Sequence, residues 1–243
     1  MPTYNEEDNI LKVIENVRTV MENEGYEYEI IVVDDGSQDR TLEKASDTTF
    51  HTNIKTIGYK TNMGKGYAIK FGLDHARGDT VIFMDSDLEI HPGRLREFVE
   101  AVKDYDIAIA SKRHSMSQVK SPIMRILLSK SFHILVKLLV GIKVSDTQSG
   151  LKSGKKTALQ QIAPLLSVKK YAMDVEILTV AQLLNLRIAE LPVSLKLGGG
   201  FSFGSIIRML VDLLGIAYRL RLKRWYQTNL GKPKIKYKPL IKW

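Results

Sequence analysis

Acidic side chains cluster at the ends of two apolar runs in this sequence. "VIFMDSDLEIHP" (Val81–Pro92) opens with four apolar residues and then sets down Asp85, Asp87 and Glu89 in alternation. "YEIIVVDDGS" closes its β-branched run on Asp34 and Asp35. Carboxylates gathered in one place repel one another unless a cation joins them, and hard oxygen donors suit Mg²⁺ or Mn²⁺. The chemistry expected of Asp85 and Asp87, with Glu89 as a further ligand, is therefore the holding of a divalent metal that neutralises a diphosphate. Each motif also has a plain structural reading. Asp-x-Asp is common in surface turns, and "DDGS" also reads as a helix start capped by Ser37 or Asp39.

Alternating helices and strands must bring the two acidic pairs together. Residues 5–24 carry apolar positions at Ile10, Val13, Ile14, Val17 and Val20, a helical stripe that Gly25 ends. "YEIIVVDDGS" and "TVIFMD" read as buried strands, "NIKTIGY" and "DIAIAS" as two more. Helices are expected over "QDRTLEKASD", "GKGYAIKFGLDHARGD", where Gly78 is the stop, and "HPGRLREFVEAVK". Strands separated by helices of this length imply an α/β fold, a Rossmann-like, mostly parallel sheet with helices on both faces. Ligands in such sheets sit beyond the carboxyl ends of the strands, so both acidic pairs should line one rim. "GYKTNMGKG" is not a phosphate-binding P-loop, since its spacing is one residue too long and Gly66 stands where a magnesium-binding Ser or Thr belongs. "MPTYNEE" reads either as the end of a strand that is otherwise missing or as a loose end.

A different pattern begins at Ser121. A long helix over about 121–142 places Arg125, Ser129, His133 and Lys137 along one stripe, with apolar residues around the rest. Charges interrupt it too often for a transmembrane span. It fits either an amphipathic helix at a bilayer surface or one packed on the sheet. Residues 201–230 repeat the theme, with a polar stripe at Ser205, Arg208, Asp212 and Arg219, followed by Trp225, Tyr226 and basic residues. Two such helices favour the membrane surface. The chain carries +9 overall, and residues 201–243 hold ten Lys/Arg against the single Asp212, so the first 200 residues are neutral. A neutral body with a basic end points to an anionic partner surface. Absent cysteines exclude disulfides and cysteine-based zinc sites and fit a reducing compartment. No secretory signal is read at the start. The expected organisation is a catalytic domain over residues 1–200, membrane-interface helices over 201–230 and a basic tail over 231–243.

"PTYNEEDNI", "IIVVDDGSQDRT", "NMGKGYAIKFGLDHARGD" and "MDSDLEIHP" follow one another as in family 2 glycosyltransferases of GT-A fold, and the chain resembles that family over roughly residues 1–220. "ASKRH", "VSDTQSGLK" and "YAMDVEIL" are similar to the polyprenyl-phosphate hexosyltransferase branch, most to dolichyl-phosphate β-glucosyltransferases and next to dolichyl-phosphate mannosyltransferases. The resemblance implies a nucleotide-contacting loop at Pro2, Tyr4 and Glu6, and a base-reading carboxylate at Asp34 or Asp35. It implies a turn beside the nucleotide at Gly64 and Lys65, and the metal and diphosphate motif at Asp85 and Asp87. Glu89 stands where mannosyltransferase relatives have Gln. Arg113, Arg125 and Ser129 match acceptor-phosphate positions; Asp146, Gln148, Asp174 and Glu176 match positions near sugar and acceptor. Asp146 and Asp174 also fit helix or turn caps. A basic residue that the family places after a Gly near "LKLGGGFSFG" is missing, with Lys196 or Arg208 as candidate replacements. Relatives also carry apolar residues before "PTYNE", so the first strand reads as truncated, which leaves a sheet edge open.

The implied reaction moves a hexose, glucose from UDP-glucose or mannose from GDP-mannose, to a polyprenyl or dolichyl phosphate with inversion. A phosphate acceptor is largely a dianion near neutral pH, its second pKa being about 6. It needs positive charge from Arg113 and Arg125 more than a base, leaving Asp146 or Glu176 to orient sugar hydroxyls. "DTQSG" and "MDVEIL" lean toward glucose. The expected setting is the cytoplasmic face of a membrane, bound peripherally, with a membrane-protein partner left open. Two other readings stand beside it: transfer to a non-lipid saccharide, and a nucleotide-sensing body with a nucleic-acid-binding tail through Trp225, Tyr226, Tyr237 and Trp243. The apolar arc over 123–142 has no use on a phosphate backbone, so nucleic acid is not the expected partner.

Overall fold

The computed structural model describes residues 1–48, 52–169, 172–197 and 203–231. The first element, β1 (Pro2–Thr3), is two residues long and pairs in parallel with β2 (Ile30–Asp34), which pairs in parallel with β3 (Ile54–Gly58). A second sheet runs β4 (Thr80–Met84), β7 (Leu151–Lys155), β5 (Ile107–Ser111), β8 (Ile188–Pro192). β7 is antiparallel to both neighbours, while β5 and β8 are parallel. A short parallel pair, β6 (Gln118–Lys120) and β9 (Ser194–Lys196), lies apart from both. The mostly parallel α/β sheet is thus present, but in two pieces and with one reversed strand inserted.

β7 was invisible to periodicity for a physical reason. "LKSGK" has no apolar run, yet Lys152 is 4% exposed because its ammonium meets Asp174 and the carbonyl of Ser149. β4 also departs from expectation. Only Met84 is buried, and Thr80, Val81, Ile82 and Phe83 are half-buried, because among the described residues no strand pairs with the edge away from β7.

Helices α1 (Ile10–Asn23), α2 (Thr41–Ser46), α3 (Lys65–His75), α4 (Leu95–Asp104), α6 (Lys156–Ile162) and α7 (Met173–Leu183) connect and cover the strands. α1 buries Ile10, Val13, Ile14 and Met21, one stripe at helical spacing. It starts at Ile10 rather than Asn5, since Asn5 takes φ 53° and Glu6 is still in the loop. α3 ends at His75, ahead of the expected stop at Gly78, where Ala76 turns to extended backbone. Neither Ser37 nor Asp39 stands at the cap of α2: Arg40 does, without a side-chain cap bond, while Asp39 accepts from the Thr41 amide at 3.0 Å one position earlier and the Ser37 hydroxyl accepts from the Asn5 amide.

α5 (Ile123–Val140) and α8 (Phe203–Ala217) pack against one another, and a π-helical turn at Tyr218–Leu222 leads to α9 (Trp225–Asn229). Met209, Leu213, Ile216, Leu220 and Tyr226 enter the same core as Ile69, Ile107, Phe132, Val136 and Leu178. Both helices leave the rest of their apolar surface outside. Ile123 is 78% exposed, Leu138 67% and Val211 61%. No helix among the described residues is long and apolar enough to cross a membrane. The expected basic tail, and the "GGGFS" stretch at 198–202 where a basic residue was sought, lie outside the described residues.

Candidate active site

The carboxyl ends of β2 and β4 and the start of α3 form one rim. Asp34 and Asp35 end β2, both buried, and do different work. Asp35 accepts from the Met63 amide at 2.7 Å and from the Gly64 amide at 2.9 and 3.1 Å, which fixes the turn into α3. Burial raises its pKa, against those amide bonds. Asp34 takes the Ser37 amide on Oδ2 at 3.2 Å, while its buried Oδ1 has no hydrogen-bond partner among the described residues. A buried acceptor left open at a strand end is what a donor group of a ligand would complete. Of the two carboxylates, Asp34 is therefore the one with an acceptor left open.

The turn set by Asp35 delivers Lys65, the first residue of α3, to the end of β4. Lys65 Nζ lies 2.7 Å from Asp85 Oδ1 and 3.9 Å from Asp174 Oδ2. Burial alone would lower the Lys65 pKa, but these two carboxylates hold it above the ordinary lysine range. Gly66 is required beside it, since a Cβ there would stand 2.5 Å from the Val168 carbonyl oxygen. Gly150 has the same function at Asp85: its Cβ would fall 2.3 Å from Asp85 Oδ2, and its carbonyl accepts the Asp85 amide at 3.1 Å. Gly150 was quoted in a motif but not assigned a role, because the contact is between β4 and the start of β7, a strand that the sequence pattern did not display.

Asp87 and Glu89 complete the acidic edge. Leu88 between them takes φ 60°, a left-handed conformation that is strained for a branched side chain and bends the chain so that Asp87 Oδ1 accepts the Glu89 amide at 3.0 Å. Burial raises the pKa of Asp87, and Asp85 adds to it. Glu89 is raised by burial and then by Asp87. Glu6, in the first loop, is raised by burial, with Asp87, Asp39 and Asp85 adding repulsion. Tyr4 on that loop is 41% exposed, and Pro2 beside it is tied through its carbonyl to Ser86.

The expected three-ligand metal cluster is not assembled. Among the described residues no group of three His, Cys, Asp or Glu side chains is close enough to hold an ion. The reason is visible in the partners: Asp85 turns to Lys65, and Glu89 to Arg125 at 3.1 Å. The oxygen groups present still suit a hard divalent cation, because Asp87, Glu89 and Glu6 are carboxylates whose pKa values are raised by burial and by neighbouring carboxylates.

The Glu89–Arg125 ion pair joins the acidic rim to α5, whose polar stripe faces the body. Arg125 and Ser129 are half-buried and His133 is 8% exposed, whereas Lys137 is exposed. Arg113, after β5, donates to the carbonyls of Ser145 at 2.6 Å and Ser129 at 3.1 Å, so it ties α5 to the end of β5 while Arg125, on α5 itself, ties the helix to Glu89.

Two of the expected sugar-orienting carboxylates are committed elsewhere. Asp146, 3% exposed, accepts from the Lys112 and Gln148 amides at 2.8 and 3.0 Å and from Lys112 Nζ at 3.0 Å. Burial would raise its pKa, and Lys112 with those amides brings it below the usual range. It holds the turn that presents Gln148, whose side-chain amide reaches the sulfur of Met209 at 3.9 Å. Glu176 is not on the rim at all. It follows Asp174 by two residues on α7, about 200° around a helix of 3.6 residues per turn, and it is fully buried on the far side. There it accepts from the amides of Ser167 and Val168 at 2.8 and 2.7 Å, from Arg219 at 3.1 Å and from the Tyr226 hydroxyl at 2.5 Å. Asp174 does face the rim, paired with Lys152 at 2.9 Å; no side chain caps α7. Lys112 and Lys152 were missed because lone lysines give no spacing signal, and only the fold shows that Lys112, half-buried, and Lys152, buried, each meet a carboxylate.

The glycosyl transferase family 2 sequence profile matches residues 1–163. A dolichyl-phosphate β-glucosyltransferase of Dictyostelium discoideum is 30% identical over 93% of this chain and 75% of its own length. That of Homo sapiens is 30% identical over 93% of this chain and 76% of its own. Among solved structures, Mycobacterium tuberculosis glucosyl-3-phosphoglycerate synthase, in complex with Mn²⁺, UDP and glucosyl-3-phosphoglycerate, superimposes with a TM-score of 0.69 at 18% identity, covering 96% of this chain and 79% of that one. This last likeness is one of fold.

Proposed function

This chain belongs to glycosyl transferase family 2, and we propose that it moves glucose from UDP-glucose to a polyprenyl or dolichyl phosphate on the cytoplasmic face of a membrane, with inversion at the anomeric carbon. The observation that carries this reading is the Glu89–Arg125 pair, which sets the acidic donor rim beside a helix that is polar toward the site and apolar toward the outside. A soluble acceptor gives that outer face no purpose.

Within the site, Asp34 presents its open Oδ1 to the nucleobase, and Lys65 at the start of α3 answers the diphosphate. Tyr4, Pro2 and Glu6 border the nucleotide from the first loop. A divalent cation held by Asp87 with Asp85 and Glu89 supplies, when bound, neutralisation of the leaving diphosphate. Arg125 and Arg113 receive the acceptor phosphate through charge-assisted hydrogen bonds and align it for attack. No residue needs to remove a proton from a phosphate that is already a dianion, so the internal commitment of Asp146 and Glu176 removes no step. Asp146 and Asp174 act as positioning residues, the first through the Gln148 turn and the second through Lys65 and Lys152.

The test is to incubate purified protein with Mn²⁺, a polyprenyl phosphate and either UDP-[¹⁴C]glucose or GDP-[¹⁴C]mannose, and to count label extracted into organic solvent. Label from UDP-glucose that disappears in Asp87→Ala supports the proposal. Transfer from GDP-mannose alone, or to a water-soluble sugar without lipid, overturns it.

A further inference from the structure

Glu89 and Arg125 meet as two forks. Glu89 Oε1 accepts from Arg125 Nη1 at 3.1 Å and Oε2 from Nη2 at 3.4 Å, so both carboxylate oxygens are turned to the guanidinium. The two side chains are 29% and 19% exposed, which spares the pair the solvent screening that leaves a fully exposed one with little value. The backbone beneath it is fixed. Glu89 donates its amide to Asp87 Oδ1 at 3.0 Å, and the next residue, Ile90, is buried and bridges to Leu195 of β9. Only the side chain of Glu89 is left to change partner, and its neighbours pull in opposite senses: Asp87 is a like charge, Arg125 an unlike one.

Competition for Arg125 favours a phosphate over this carboxylate. Glu89 brings one negative charge, whereas a phosphate monoester near neutral pH brings about 1.5 to 2 and three acceptor oxygens. Arg113 adds to that preference. It is anchored to α5 at the Ser129 carbonyl, four residues beyond Arg125, and is held by carbonyls and by no carboxylate among the described residues. Its charge pulls on a dianion and is not answered by Glu89. The exchange has a second half. Once released, Glu89 is a carboxylate close to Asp87 without its counter-charge, and a hard divalent cation between the two relieves the repulsion.

We propose that Arg125 is a positioning residue for the metal site: it holds Glu89 aside until an acceptor phosphate takes its guanidinium, and Glu89 then turns to Asp87 and closes on a divalent cation. This rests on the acceptor and metal roles given above and adds the coupling between them. Acceptor and cation each bind more tightly in the presence of the other, and by the same factor. The cation's help to the departing diphosphate is then strongest when a phosphate stands ready to attack, which limits loss of the sugar to water.

The test uses the whole protein, Mn²⁺ and geranyl phosphate as a short acceptor probe, with no nucleotide present. Bound Mn²⁺ is followed by loss of the free-ion electron paramagnetic resonance signal. In the parent protein, saturating geranyl phosphate is expected to tighten Mn²⁺ by about fivefold or more. Glu89→Gln, which keeps the size of the side chain, is expected to abolish that gain while still binding geranyl phosphate. Arg125→Met is expected to tighten Mn²⁺ by about tenfold or more on its own, and by less than about threefold when combined with Glu89→Gln. A positive charge acting only at a distance would give the same tightening in both backgrounds, and that result overturns the proposal. Synergy that persists in Glu89→Gln means that the phosphate touches the metal directly, and also overturns it. Should Arg125→Met melt early, the parent and Glu89→Gln decide alone, since lost synergy supports the latch and retained synergy removes it. Geranyl phosphate that binds neither the parent nor any variant strikes the acceptor role and the proposal together. Binding of both ligands without coupling strikes the proposal only and leaves the glucose-transfer reading standing.

Discussion

Lys65 and Asp85 form an ion pair 2.7 Å long, and Asp174 stands 3.9 Å beyond the same ammonium, so the carboxylate that ends β4 is answered by the first residue of α3. This arrangement gives the donor rim a resident positive charge of its own. It also explains why Asp85 does not lie with Asp87 and Glu89 as a ligand set: one of its oxygens is engaged before any ion arrives.

Replacing Lys65 by Met separates the two functions of that ammonium. Nucleotide diphosphate loses a charged partner, and UDP affinity is expected to fall at least tenfold, about 1.4 kcal/mol. Asp85 is released at the same time, so Mn²⁺ binding without nucleotide should tighten. Calorimetric titrations of each ligand alone measure both; weakened binding of both ligands would mean that Lys65 merely supports the local fold.

The acidic edge makes stability depend on pH in an unusual direction. Asp87, Glu89 and Glu6 have pKa values raised in the folded protein, by burial first and then by repulsion from neighbouring carboxylates, Asp85 acting on all three. Such groups bind protons more tightly folded than unfolded. Their contribution is greatest below the unfolded carboxylate range near pH 4 and is lost as pH rises through the folded values. Asp146 and Asp174 run the other way, their pKa values lowered by nearby lysines against the effect of burial, and they lose stability as pH falls. Asp87→Asn is therefore expected to melt higher than the parent protein at pH 7, with the difference shrinking toward pH 4. Mn²⁺ should raise the melting temperature of the parent and not of the variant. A lower melting temperature for Asp87→Asn at pH 7 would refute this account.

Much of this site was legible in the chain because its groups sit at element ends. Asp34, Asp85 and Lys65 each follow or open a periodic segment, so the rim could be read from strand termini alone. Arg125 and Ser129 were legible from helical spacing, and the structure turns that stripe toward the body. What spacing could not carry is direction. Asp174 and Glu176 are two residues apart in one motif, and only the rotation of α7 sends one to Lys65 and the other to Arg219 and Tyr226. β7 was hidden for the opposite reason: its lysine is neutralised by a partner 22 residues away in sequence, which no local pattern displays.

Glu176 offers a test that distinguishes support from catalysis. Its carboxylate joins the loop at Ser167–Val168 to Arg219 and Tyr226, and so fastens the π-helical turn and α9 to the body. Glu176→Ala leaves the Ser167 and Val168 amides, the Arg219 guanidinium and the Tyr226 hydroxyl without this acceptor, a loss of about 3–5 kcal/mol for a broken buried pair. Chemical denaturation should show it. Asp174→Asn should cost less stability and more turnover, since its partner Lys65 contacts the donor rim. Equal effects of the two changes on both measurements would erase the distinction.

The outward faces of α5 and α8 are the surface that the proposed contact with a bilayer would use. Ile123, Met124 and Leu138 on α5, and Val211 and Leu222 on and after α8, are each more than 60% exposed, while the neighbours that turn inward, such as Val136 and Leu213, are fully buried. Helices that already bury a full core face have no folding reason to carry a second apolar one. Transfer of one large aliphatic side chain out of water is worth ~1.5–3 kcal/mol, so Ile123→Asp/Leu138→Asp should reduce partition onto phospholipid vesicles by two orders of magnitude or more. Both positions are solvent-facing, and the variant should keep its melting temperature and its UDP affinity. Arg221, Lys223 and Arg224 are exposed at the same end of the chain and contribute a charge-dependent share, so flotation is measured with neutral as well as anionic vesicles. Loss on neutral vesicles isolates the apolar contribution. A double variant that floats as well as the parent protein on both would show that these rows of side chains serve something other than a membrane.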